Sequence, residues 1–335
     1  MIQNPFNNPA FEMAELTKAI NLLPNNYGRL REMKIMPVKG VRSRTVIVEM
    51  KNGILTLLPT KPVGSPGTVH KMAKRNVRSF VVPHIPHDAD ILPEEYDGLR
   101  SFGSEDDMVA LSQLMNDKLQ SMRVNHGITL EHLRMGALKG EILDSDGSTI
   151  YNLYDEFNIT PFEVDFELSD VDTDVKQKCI DLLRHMEDNL LGEAMRGVHV
   201  LVSQEFFDAL VDHPKVREAY ERWRDGELLR TDMREGFNFA GVTFEEYRGR
   251  SLDIEGNTRR FIAASEGHAF PMGTLNTFET LVAPADFIET TNTIGQLLYA
   301  KQEERKFGRG IDIHTQSNPL PICYRPAVLV KVLTS

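Results

Sequence analysis

Two short segments carry side chains of the kinds that bind metals or move protons. The first is His84-Ile85-Pro86-His87-Asp88-Ala89-Asp90, where His84, His87, Asp88 and Asp90 offer imidazoles and carboxylates enough for a full coordination shell. Pro86 bars the helical presentation that would set the imidazoles side by side, and a structural zinc site would normally include cysteine. The segment therefore reads as a turn bearing polar residues. Its alternative is the centre of a soluble, metal-assisted α/β enzyme. The second segment, Asp144-Ser145-Asp146-Gly147, opens like a calcium loop, but its glycine stands fourth where that motif needs it sixth, and Asn152 occupies the place of the twelfth-position Glu. No phosphate-binding Gly-rich loop with Lys-Ser/Thr, no His-Glu-x-x-His and no Gly-x-Ser-x-Gly occurs. Neither a catalytic residue nor a metal or cofactor is expected.

Composition narrows the class further. The 335 residues allow two domains or one elaborated domain, and 41% hydrophobic with 26% charged residues is ordinary for a folded protein. With 38 basic against 49 acidic side chains the net charge is −11, which argues against a dedicated nucleic-acid binder, since phosphate contacts need clustered Lys and Arg. A wall of mild acidity would, however, keep a packaged polyanion from sticking to it. Cys179 and Cys323 are too few and too far apart for a disulfide framework or a zinc site, which points to a reducing cytoplasm. The N-terminus has no basic start before an apolar run, and no stretch of apolar residues reaches membrane-spanning length, so neither a signal peptide nor a membrane span is expected.

The elements follow from periodicity. Residues 12–23 form a short amphipathic stretch ending at Pro24, within an Asn/Pro-rich segment that reads as an arm. Thr45-Val46-Ile47-Val48-Glu49-Met50 is a strand, Asn52-Gly53 a two-residue hairpin turn, and Ile54-Leu55-Thr56-Leu57-Leu58 its expected partner. The Pro/Gly-rich run after it cannot continue a ladder, while Val77-Arg78-Ser79-Phe80-Val81-Val82 can, so a long projecting β-loop is predicted. Lys61, Lys71, Lys74, Arg75 and Arg78 make this loop basic in an acidic chain and are candidate contacts to an acidic neighbouring subunit. Ser104 and Asp107 open a helix whose buried face is Met108, Leu111, Leu114, Met115, Leu119 and Met122; Gly127 is expected to interrupt it before Thr129 resumes. The methionines read as core filler.

A hairpin is predicted around Asp144-Ser145-Asp146-Gly147-Ser148 and a helix over 174–195, carrying Cys179, Leu182, Leu183, Met186, Leu190 and Leu191 on one face. Val198–Val202 reads as a buried strand. Ser203 caps a helix with Phe206, Phe207, Leu210 and Val211, and Pro214 opens another. Strands at 242–244 and 261–264 complete a mixed α/β unit of about 110 residues.

The last quarter carries Gly267-His268-Ala269-Phe270-Pro271-Met272-Gly273-Thr274, then Asn292-Thr293-Ile294-Gly295, then Ser317-Asn318-Pro319-Leu320-Pro321. Together with Leu138-Lys139-Gly140-Glu141 and the following hairpin, these resemble the major capsid protein family of tailed phages typified by the phage lambda E protein. The resemblance runs from about Val41 to the C-terminus. It implies an α+β fold of the Hong-Kong-97 capsid type: an N-terminal arm (1–40), an extended β-loop (41–85), a peripheral domain with a long spine helix (86–170), an axial domain (171–310) and a C-terminal return to the peripheral domain (311–335), with 328–333 as its strand. It also implies a non-enzymatic shell subunit of a virion capsid, assembled in the host cytoplasm as hexamers and pentamers of itself. Partners implied are a scaffold, a portal, a cement protein in some members, and packaged double-stranded DNA bound without sequence preference. A related shell that encloses cargo instead of a genome is the neighbouring reading.

Overall fold

The structure is a computed structural model that describes residues 12–23, 28–50, 76–95, 107–223, 233–253 and 255–335. The chain divides into two compact units, each discontinuous in sequence. The first comprises Met1–Val46, Phe80–His132 and Glu279–Ile322; the second comprises Ile47–Ser79, Leu133–Phe278 and Cys323–Ser335.

In the first unit, strands Tyr299–Glu304, Ile311–Ser317 and Ile85–Ile91 form an antiparallel sheet in that order. The predicted amphipathic stretch is the helix Met13–Leu22, and it buries Leu16 and Ile20 in a core with Met115, Leu119, Met122, Leu298, Ile311 and Ile313. Polar contacts set its position: Thr17 Oγ1 accepts from Ala300 N at 3.1 Å, and Asn21 Nδ2 donates to Leu298 O at 2.9 Å. Met115, Leu119 and Met122 lie on the long helix, Asp107–Lys139, which runs 33 residues without a break. Gly127 does not interrupt it. A glycine inside a helix costs only about 1 kcal/mol, and Arg123 and Glu131 on either side of it are buried and engaged with the N-terminal segment: Arg123 donates to Ile20 O, and Glu131 accepts from Leu30 N at 2.8 Å. The proposed cap at Ser104 lies outside the described residues.

Val38–Gly40 runs parallel to Phe278–Val282 in a second small sheet that also contains Pro319–Cys323. Asn292-Thr293-Ile294-Gly295 is a turn laid against this sheet. A Cβ on Gly295 would sit 2.0 Å from Val282 O, so only glycine permits the approach.

The second unit is built on a six-stranded sheet in the order Phe162–Asp165, Val330–Leu333, Glu266–Met272, Gly197–Val202, Val242–Glu246, Phe237–Phe239. The helices Val175–Asn189, Gln204–Asp212 and Pro214–Trp223 accompany it. Asp174 and Ser203 act as N-caps, accepting from Gln177 N and Phe206 N at 3.2 Å in both cases. Cys179, Leu182 and Met186 enter the core as the spacing requires, and Phe166, Phe206 and Phe244 meet there with ring centroids 5.6–6.3 Å apart. The first helix ends at Asn189, short of the expected 195, because Leu191 and Gly192 take left-handed backbone angles of 53° and 89°. Both cysteines are free and buried, and burial pushes both thiols up to about 12.

The predicted strand at 261–264 is not one. Phe261 and Ile262 are buried, but Ala263 N donates to the Glu266 side chain at 3.1 Å and Ser265 has φ 62°, so the chain turns here and the strand begins at Glu266. The hairpin Glu141–Leu143 with Thr149–Asn152 forms as expected. Asp144 and Asp146 turn their carboxylates onto the N–H groups of Ser145 and Ser148, at 2.6 and 2.8 Å. That use closes a turn.

Gly140 joins this hairpin to the long helix at φ 81°, with Tyr154 so close that a Cβ would lie 2.3 Å from its ring. Gly140→Ala is expected to lower the stability of the second unit by about 1–3 kcal/mol through the strained backbone and the displaced ring, as read by chemical denaturation.

Candidate assembly surfaces

The four side chains that read as a metal set do not converge. Ile85–Ile91 is a strand, not the expected turn, because each of its residues from Ile85 to Ile91 registers against Ser317 to Ile311. Strand geometry sends alternate residues to opposite faces, and each polar side chain finds its own partner. His84 Nδ1 lies 2.8 Å from Asn318 Oδ1, Asn125 Nδ2 donates to His87 Nε2 at 3.0 Å, Asp88 Oδ1 meets His314 Nδ1 at 2.5 Å, and Asp90 accepts from Arg305 at 3.0 Å. Among the described residues no group of three or more His, Cys, Asp or Glu is placed to hold a metal ion.

Behind His87 lies an inward polar node that sequence reasoning missed. His126, on the long helix, is 4% exposed and stands edge-on to His87 with ring centroids 5.8 Å apart. Its Nε2 and Nδ1 lie 3.0 Å from the hydroxyls of Thr315 and Ser317. Thr315 donates its hydroxyl proton to His87 O at 3.0 Å, so it accepts from His126 Nε2–H, and Nδ1 is left to accept from Ser317. The network thus suits the neutral ring. Burial, followed by repulsion from His87 and His314, lowers the His126 pKa to about 3.

A second buried node lies in the other unit, within the Gly267-His268 motif. Glu266 meets Lys331 at 3.1 Å, His268 at 3.4 Å and Lys139 at 3.8 Å, and accepts from Ala263 N. Burial opposes ionisation of Glu266, but the hydrogen bond from His268 and the ammonium groups of Lys139 and Lys331 override it and hold the carboxyl well below the usual range. His268 is buried, and burial lowers its pKa, so it donates as a neutral ring and the two lysines carry the countercharge. Both nodes hold packed elements together.

Several large apolar side chains face outward. Thr45–Met50 pairs with Asn76–Val81 in a two-stranded ribbon; the partner expected for the first strand, Ile54–Leu58, lies outside the described residues, as do Lys61, Lys71, Lys74 and Arg75. The ribbon buries Val48 and Phe80, while Ile47 and Val81 are 65% and 58% exposed. Arg78 is described: its Nε donates to Glu156 O at 2.7 Å and its side chain is exposed. At the hairpin between Tyr299–Glu304 and Ile311–Ser317, Phe307 is 90% exposed and has φ 67°. Bulky residues adopt that backbone rarely. Arg305 braces the hairpin's base by binding both Asp90 and Asp312, at 3.0 and 2.6 Å.

Exposed apolar side chains of this kind are the mark of surfaces that meet other chains. Residues 12–334 match the family model for phage major capsid protein E. The chain belongs to that family. The major capsid protein of Pseudomonas phage KPP10 is 31% identical, and that of Salmonella phage Felix O1 is 29% identical, each match covering 96% of this chain and 96% of the relative. Among solved structures, a putative capsid protein of a prophage of E. coli CFT073 superposes with a TM-score of 0.57 at 15% identity, covering 97% of this chain and 99% of that one. The capsid of Myoviridae phage XM1 gives 0.54 at 11% identity, with 94% and 95% covered. This capsid protein therefore has the α+β fold of the Hong-Kong-97 type and is a major capsid protein of the virion shell. Among the described residues, no helix of the capsid protein is long and apolar enough to cross a membrane.

Proposed function

We propose that the chain builds the closed icosahedral shell around phage double-stranded DNA, as hexamers and pentamers of itself, and carries out no reaction of its own. The observation that carries this reading is the two-stranded ribbon, which buries Val48 and Phe80 but leaves Ile47 and Val81 exposed. A neighbouring subunit covers them, and contacts of this heterologous kind close rings. In this reading residues 1–40 are the arm, 41–85 the extended loop, 86–170 the peripheral domain, 171–310 the axial domain and 311–335 the return. Lys61, Lys71, Lys74, Arg75 and Arg78 bring positive charge to the acidic surface of the next subunit, as the net charge of −11 favours. Assembly takes place in the host cytoplasm around a scaffold and a portal, and an acidic wall leaves the packaged DNA unattached.

Deleting residues 59–74 tests the reading. The deletion is expected to leave both compact units folded, with an unchanged denaturation profile, and to abolish closed particles in electron micrographs. Normal shells from the deleted chain would refute the role given to the loop.

A further inference from the structure

Two motifs of the last quarter, Asn292-Thr293-Ile294-Gly295 and Ser317-Asn318-Pro319, meet the two ends of the extended loop. At the entry end, Val41 N donates to Val282 O at 2.9 Å and Val41 O accepts from Gly295 N at 2.9 Å. Gly40, just before it, passes so close that a Cβ there would lie 2.4 Å from the Ile294 side chain and 2.5 Å from Gly295 O. Asn292 opens this turn at φ 61°, a left-handed angle that asparagine tolerates.

At the exit end, both polar atoms of the buried Asn318 side chain are engaged. Its Nδ2 donates to Pro284 O at 2.9 Å, which leaves Oδ1 to accept from His84 Nδ1 at 2.8 Å. The Asn318 backbone O accepts from Ala283 N at 2.9 Å. The two ends are also joined to each other, Val82 N donating to Arg44 O at 2.8 Å. Between them stands Asp286. Its Oδ1 accepts from the buried Gln316 side chain at 2.7 Å, and its Oδ2 lies 4.0 Å from the Arg44 guanidinium and 3.9 Å from His84 Nε2. All of these residues belong to the first unit, and one short run, 282–286, receives both ends.

Pairing of Thr45–Met50 with Asn76–Val81 requires none of these contacts, which act on residues just outside that ladder. A change of a few backbone angles there would swing everything beyond. Buried, hydrogen-bonded side chains select one arrangement of the segments they join, and order present before assembly is not lost again during it. From this we infer that the run 282–286 with Asn318 is a seat that fixes the direction in which the extended loop leaves the first unit, with His84 and Asp286 as its positioning residues.

The inference rests on the role proposed for the loop and is tested on the full chain with His84→Ala. The side chain is 35% exposed, so the denaturation midpoint of the purified subunit is expected to stay unchanged. Backbone amides of 80–85 are expected to exchange with deuterium about fivefold faster, as the loss of one hydrogen bond implies, while those of 311–317 keep their rates. Closed particles in electron micrographs are expected to fall several-fold in number, replaced by open or irregular ones. His84→Asn sets an amide donor where Nδ1 stood and is expected to restore both readouts. Asp286→Asn keeps the acceptor for Gln316 but removes the charge facing Arg44 and His84; it is expected to act in the same direction with a smaller effect, since both pairs are partly exposed.

Normal closed particles from His84→Ala, unchanged exchange at 80–85, or no rescue by His84→Asn overturns the inference and leaves the shell reading intact. A lowered midpoint with faster exchange spreading to 311–317 also overturns it, because the residue then supports the fold as a whole. Failure of the unmodified chain to form particles overturns the shell reading, and this inference with it.

Discussion

Glu266→Ala is expected to be among the most damaging single changes in the second unit. It removes the carboxylate that the ammonium groups of Lys139 and Lys331 share beside the buried His268, and it strands the N–H of Ala263. Removing one partner of a buried ion pair costs about 3–5 kcal/mol; the side chains of Lys139 and Lys331 are 25% and 36% exposed, so a loss of about 3 kcal/mol is expected. Chemical denaturation of the purified subunit measures it, and a loss below about 1 kcal/mol would mean that water already screens the site. The pH dependence has a defined sign. Glu266 titrates lower in the folded chain than in the unfolded one, so its contribution is complete above the usual carboxylate range and is lost only as pH falls toward the depressed folded value. Protonation of Glu266 itself therefore costs stability only below the usual carboxylate range.

Mild acid does act on the first unit, through His126. The folded ring resists protonation down to about pH 3, whereas an unfolded histidine takes up its proton near 6.5. Its contribution is thus complete above 6.5 and declines as pH falls from 6.5 to about 3, with a limiting slope of about 1.4 kcal/mol per pH unit. At the lower end of that window the loss reaches about 4–5 kcal/mol, enough to open the packing of the long helix on the sheet 85–91/311–317. Burial lowers the pKa of His185 and His268 as well, so the quantity to read is the difference between the unmodified chain and His126→Gln. Glutamine retains a donor and an acceptor but no titration, and its stability curve is expected to lack this slope between pH 6 and 4. Parallel curves for the two proteins would contradict the assignment.

Local elements were legible wherever spacing and caps agreed. The helix from Gln204 follows Ser203, the hairpin at 141–152 follows its Asp-Gly turn, and the buried face of Met115, Leu119 and Met122 follows its spacing. Three features misled for physical reasons. Gly127 looked like a break, but tertiary contacts of Arg123, His126 and Glu131 outweigh its weak propensity. Phe261 and Ile262 looked like a strand because burial and β-propensity are alike in sequence, yet the Glu266 carboxylate turns the chain at Ala263. The His84–Asp90 segment looked like a turn because its partner strand lies more than 200 residues away, and long-range register leaves no local mark.

The same reason hid the two nodes. His126 and Glu266 carry no spacing signal, since their partners come from Thr315, Ser317, Lys139 and Lys331 in distant segments. The seat of the extended loop is equally silent in sequence, because Asn318 and His84 meet across 234 residues. Motif order along the last quarter was readable at once, and it carried the family; the geometry that fastens those motifs together was not.

The central claim, that this chain is a shell subunit whose function lies in its surfaces, is tested most directly by electron microscopy of the protein produced alone and with its neighbouring genes, alongside size-exclusion chromatography. Closed icosahedral particles are the predicted result. A stable small oligomer under every condition, above all one retaining a stoichiometric metal, would contradict it.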